Sequence, residues 1–92
     1  MMATVEVRVA FPLRKVVGGT DPIQARGETV QHLLGDLDSQ FPGFKERLID
    51  SRGELNGSFL ILLNDEDIRS LKGIETPLKD SDVVSILVIM LE

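Results

Sequence analysis

The sequence predicts an α+β domain in which one main helix packs on one face of a mixed four- to five-stranded sheet. Three stretches carry that expectation. Val5, Val7 and Val9 alternate with Thr4, Glu6, Arg8 and Ala10, a period of two that sorts side chains onto opposite faces of a strand. Val30, Leu33, Leu34, Leu37 and Phe41 recur at helical spacing, and residues 83–91 form an apolar run broken only by Ser85. The order strand, strand, helix, strand, strand, strand then gives a hairpin, a helix, a second hairpin and a closing strand, the pattern of a two-layer domain.

Each element has its own local reason. After the first strand, Phe11-Pro12 ends or bends the chain, and Gly18-Gly19 and Asp21-Pro22 are turn signals, so residues 23–26 read as the return arm of a hairpin. Thr29 is a candidate helix N-cap with Glu28 beside it. On a helical wheel all five apolar residues from Val30 to Phe41 lie within about 60° of Val30, a narrow stripe worth on the order of 10 kcal/mol of gross transfer free energy when buried. Gly35 falls outside that stripe, and Pro42-Gly43 stops the helix. Residues 44–50 suit one more helical turn with Phe44, Leu48 and Ile49 as its buried side, and residues 51–58 read as a loop. Phe59, Leu60, Ile61, Leu62 and Leu63 are five consecutive apolar residues, a strand buried on at least one face. Asn64, Asp65, Glu66 and Asp67 form a turn, Ile68-Arg69 a short return strand, and residues 73–82 a loop with a helical turn after Pro77. The long final run is what a central strand covered on both faces requires.

A chain of 92 residues with 42% hydrophobic and 27% charged side chains is expected to be one domain, residues 1–92, with no repeat or linker. Zero cysteines exclude thiol nucleophiles, thiolate metal sites and disulfides. The formal charge of −5 argues against non-specific nucleic-acid binding, which relies on cationic side chains. That charge is uneven: residues 1–64 hold eight acids and seven bases, residues 65–92 seven acids and three bases. No apolar run reaches the roughly 18 residues of a membrane span, and the N-terminus lacks a signal-peptide block, so the chain reads as cytoplasmic and independent of membranes.

Catalytic chemistry finds few residues to work with. His32, the lone histidine, points away from the apolar stripe and has no triad partner. Asp65, Glu66 and Asp67 lack the spacing of a calcium loop, and Asp80 and Asp82 read as loop residues that cap backbone groups. Gly18-Gly19 lacks the rest of a phosphate loop. A binding or carrier protein is expected, with no catalytic site, no cofactor and no metal.

The order of elements, together with Asn64-Asp65-Glu66-Asp67-Ile68 and the stretch from Gly73-Ile74-Glu75-Thr76-Pro77-Leu78 through Lys79-Asp80-Ser81-Asp82-Val83-Val84-Ser85-Ile86-Leu87, resembles the ubiquitin-like β-grasp sulfur carriers. These include the small subunit of molybdopterin synthase (MoaD) and the thiamine-pathway carrier (ThiS). The likeness runs from the Val5 strand through Gly27-Glu28-Thr29-Val30 to Leu87, and the loop of residues 51–58 looks more like the molybdopterin and cysteine-biosynthesis branches. The resemblance implies sulfur transfer in cofactor, cysteine or thiamine biosynthesis. Its implied partners are an adenylating activating enzyme and a sulfur-accepting enzyme. In such carriers a flexible C-terminal Gly-Gly has its terminal carboxylate adenylated and converted to a thiocarboxylate, glycine being needed to thread a narrow channel.

This chain ends Val88-Ile89-Met90-Leu91-Glu92, with Glu92 about where the first glycine would stand. Three readings stay open: a paralogue without carrier chemistry, a sequence that ends early, or an unusual carrier. The alternative function is a ubiquitin-like interaction module that only docks. Leu91 and Glu92 hold the carrier position, and the sequence as written is not expected to be thiocarboxylated. Its large tail residues are expected to pack, extending the last strand or covering an apolar surface; in a neighbouring copy, that packing would make a homodimer. A docking surface is expected on the sheet face away from the helix, from Phe59, Ile61 and Leu63 or from Leu60 and Leu62, with Asp65, Glu66 and Asp67 steering a basic partner.

Overall fold

The computed structural model describes residues 2–9 and 22–88. Strand β1 (Ala3–Val9) pairs antiparallel with β2 (Ile23–Gly27), Val5 opposite Ala25 and Val7 opposite Ile23. The expected bend at Phe11-Pro12 and turn at Gly18-Gly19 lie outside the described residues. Two further strands, β3 (Phe59–Leu63) and the two-residue β4 (Glu66–Asp67), form the second hairpin, and β5 (Val83–Val88) ends the described chain. The sheet order is β2-β1-β5-β3-β4. Strand β5 is therefore central, parallel to β1 and antiparallel to β3, as its apolar run requires.

Helix α1 (Val30–Gln40) begins where the sequence places it: the Thr29 side chain accepts the His32 N–H at 3.3 Å. Val30, Leu33, Leu34 and Leu37 are fully buried against Val5, Val7, Val84 and Ile86 of the sheet, one shared core. Phe41 is only half-buried because it is already the C-cap, at φ −133°, where the chain leaves the helical path on which the stripe was projected. A second short helix, α2 (Phe44–Leu48), buries Phe44 and Leu48 and leaves Ile49 half-buried, bridged to Leu55. Asp38 joins the two helices, its Oδ1 accepting the N–H groups of Gly43 and Lys45 at 3.2 and 3.1 Å.

In the loop that follows, the Asp50 carboxyl is held below its ordinary pKa, chiefly by the Glu54 N–H, with the Arg52 N–H and guanidinium adding to it. A depressed carboxyl pKa contributes stability above the ordinary value that is lost as the pH falls through the folded one.

Three expectations are corrected. The return strand is Glu66–Asp67, not Ile68-Arg69: Asn64 and Asp65 take left-handed φ of 49° and 71°, so two residues suffice for the turn. Asp67 Oδ1 then accepts the Arg69 N–H at 2.9 Å and curls Ile68–Ser70 into a 3₁₀ turn that buries Ile68. The helical turn of the later loop lies before Pro77, at Gly73–Glu75, because Pro77 is drawn into a bridge with Thr29 and Leu78 donates to the Glu28 carbonyl. Finally, β5 is covered on one face only: Val84 and Ile86 are buried while Leu87 is 38% exposed, since the helices lie on one side of the sheet.

Among the described residues, Thr76 is the buried polar residue of the core, 4% exposed. Its hydroxyl donates to the Gly73 carbonyl at 2.7 Å and accepts the Lys72 N–H at 3.0 Å, while its own carbonyl receives the Val30 N–H at the start of α1. Thr76→Val keeps the shape but removes the acceptor of the Lys72 N–H, while the Gly73 carbonyl keeps the Thr76 N–H at 3.1 Å, so a loss of about 1 kcal/mol is expected. The urea midpoint checks it; an unchanged midpoint would show that the hydroxyl closes nothing.

Candidate docking face

Register decides which side chains the sheet presents away from the helices. In β5, Val84 and Ile86 face the core, so Val83, Ser85 and Leu87 face outward. Opposite residues share a face, and Leu60 stands opposite Leu87, Leu62 opposite Ser85, Ile61 opposite Ile86. Phe59, Ile61 and Leu63 therefore belong to the core side: Ile61 is fully buried and the other two pack against the core. That removes these three from the docking candidates. Leu60 and Leu62 remain, half-buried on the outer face beside exposed Leu87.

The outer face has two halves. Over β1 and β2 it is polar, with Thr4, Glu6, Arg8, Gln24 and Arg26, and the Arg8 Nε donates to Glu6 at 2.7 Å. Over β5 and β3 it is apolar, carried by Leu60, Leu62, Leu87 and half-buried Val83. The change follows from composition: the outward positions of β1 alternate to charge, whereas β3 has no polar residue to turn outward.

Acidic and polar side chains gather at the end of the apolar half where β5 begins. Asn64 Nδ2 donates to Asp82 Oδ1 at 2.9 Å, and Asn64 Oδ1 accepts the Val83 N–H at 2.9 Å. Asp82 Oδ2 also accepts the Lys79 N–H at 2.8 Å, and Asp80 Oδ1 accepts the Thr4 N–H at 2.9 Å. Asp80 and Asp82 thus cap backbone groups, as their loop position suggests. Asp67 is committed to the 3₁₀ turn, which leaves exposed Asp65 and Glu66 as the acids turned to solvent. At the other end, an Arg69 guanidinium Nη2 donates to the Phe59 carbonyl at 2.9 Å, beside the Phe59 and Val88 pair where the described chain ends. No sequence signal marks Arg69, because its partner is a backbone atom brought near by the 3₁₀ turn.

His32 is exposed on α1. Among the described residues, no three metal-ligating side chains gather, and no helix is long and apolar enough to cross a membrane. Leu91 and Glu92, with the tail packing and homodimer expected of them, lie outside the described residues.

One main helix on one face of a mixed five-stranded sheet defines a ubiquitin-like β-grasp fold. The ThiS family model matches residues 7–90, and the chain belongs to that sulfur-carrier family. It is 39% identical over 85 residues to the sulfur carrier protein CysO of Mycobacterium tuberculosis, covering 88% of this chain and 91% of that one. The crystal structure of Mycobacterium tuberculosis CysO superposes with a TM-score of 0.89 at 36% identity, over 94% of this chain and 99% of that one. A chain of the Amycolatopsis orientalis BexX/CysO complex also matches with a TM-score of 0.89, at 33% identity over 96% and 98%. The small archaeal modifier protein 1 of Methanosarcina acetivorans matches with a TM-score of 0.82, at 38% identity over 96% and 94%.

Proposed function

We propose that the chain serves sulfur transfer in the cysteine-biosynthesis branch of its family, docking its outer sheet face on an adenylating enzyme and on a sulfur-accepting enzyme. The likeness to CysO over nearly the whole chain carries this reading and favours the cysteine branch over the molybdopterin one. A related CysO is found in complex with another protein, BexX, which supports partners that are proteins. The chemistry belongs to a terminal carboxylate: it attacks ATP to give an acyl adenylate and pyrophosphate, and sulfide then displaces AMP to leave a thiocarboxylate. The domain's part is to dock and to hold that terminus in reach, with no catalytic group of its own.

Intact mass after incubation with the activating enzyme, ATP and a sulfide donor tests it. The chain ending at Glu92 is expected to stay unchanged, since Leu91 and Glu92 are too large for a channel shaped to glycine. The chain with Glu92→Gly and one further glycine added is expected to exchange one oxygen for sulfur. Exchange at Glu92 itself would show the diglycine to be dispensable here. Exchange in neither form would overturn the carrier reading in favour of an interaction module.

A further inference from the structure

Among the described residues, strand β2 is one edge of the sheet, and an edge strand ordinarily presents a row of unpaired N–H and C=O groups on which another chain can add a strand. Here the chain's own helix answers two of those groups. Asp36 Oδ2 accepts the Arg26 N–H at 3.0 Å, and Gln40 Nε2 donates to the Gln24 carbonyl at 3.2 Å. The two side chains are one helical turn apart and bonded to each other, Gln40 Nε2 to Asp36 Oδ2 at 3.0 Å.

An incoming antiparallel strand would need the same two atoms. In a symmetric pairing of two β2 strands about Ala25, the Arg26 N–H of one copy donates to the Gln24 carbonyl of the other. Asp36 supplies the acceptor and Gln40 the donor that such a strand would bring. The helix can do this because it lies close over β2: a Cβ built on Gly27 would meet the Leu33 backbone nitrogen at 2.5 Å.

We propose that Asp36 and Gln40 form a latch that closes the β2 edge against strand addition by a second copy of this chain. Association is thereby confined to the outer sheet face, and the open edge of a small, half-apolar sheet is kept from pairing with itself.

The test uses Asp36→Ala/Gln40→Ala, both on the solvent side of α1 and both favourable to helix, so folding is retained and checked by circular dichroism. Two readouts are needed. Amide hydrogen exchange at Arg26 is expected to accelerate about tenfold, the loss of one charge-assisted hydrogen bond, with Val5 unchanged. Sedimentation velocity over rising concentration is expected to show association in the double variant and none beyond wild type in Asp36→Asn, which keeps an acceptor oxygen. Adding Gln24→Pro, which removes an N–H from the free edge, is expected to reverse the association. Unchanged exchange at Arg26 would overturn the latch. Faster exchange without association, or association that survives Gln24→Pro, would overturn its role in closing the edge.

Discussion

Gly27→Ala is expected to destabilise the protein by about 3 kcal/mol or more, a large share of the roughly 5–15 kcal/mol that holds a domain together. The cost comes from contact: an added Cβ would lie 2.5 Å from Leu33 N, 2.9 Å from Leu33 Cα and 3.0 Å from the His32 carbonyl carbon. All three are backbone atoms of the first helical turn, so no side chain can swing aside. Relief requires α1 to lift from β2, and that movement reaches several bonds at once. The Leu33 N–H donates to the Thr29 carbonyl at 2.9 Å, the Val30 N–H to Thr76, and the Leu78 N–H to Glu28, so the helix start and the loop before β5 are tied to the same few residues. Urea unfolding should show a lower midpoint with an unchanged slope. A midpoint equal to wild type would mean that strand and helix are not in this close contact, and Gly27→Val should be worse still.

The main architecture was legible because three patterns are unambiguous: the alternation of Val5, Val7 and Val9, the helical stripe from Val30, and the apolar run that ends in β5. The Thr29 cap and the Pro42-Gly43 stop then set the bounds of the main helix to within a residue or two. What stayed illegible depends on register or on tertiary proximity. Strand β3 is apolar at every position, so nothing within it says which alternate set faces the core; the pairing of Ile61 with Ile86 decides it. Nothing in the sequence sets Asp36 and Gln40 apart, because their partners are backbone atoms of β2 that only the fold brings beside them. Asn64 and Asp65 look like half of a longer turn in the sequence, because the left-handed backbone that shortens it leaves no mark beyond residue type.

Replacing Leu60 and Leu87 together by threonine is expected to weaken association with the proposed adenylating and sulfur-accepting partners by about thirtyfold or more, while the fold persists. The two leucines stand directly opposite on β3 and β5 and form the centre of the apolar half of the outer face, with Leu62 beside them. Burying the apolar area of two leucines in a partner contributes about 2 kcal/mol or more, which is the loss expected when both are replaced. Threonine suits strands, so the substitution removes apolar area without disturbing the ladder. The core-side residues Val84, Ile86 and Ile61 are untouched, and unfolding midpoints should stay close to wild type. Asp65→Lys/Glu66→Lys should act differently, because these exposed acids lie at the rim. A rim charge changes the rate of encounter and its salt dependence more than the lifetime of the complex. Slower association at low salt with little change in dissociation is therefore expected from the acid reversals, and faster dissociation from the leucine replacements. If the leucine double variant dissociates at the wild-type rate, the partner sits elsewhere, and the polar half over β1 and β2 becomes the face to vary.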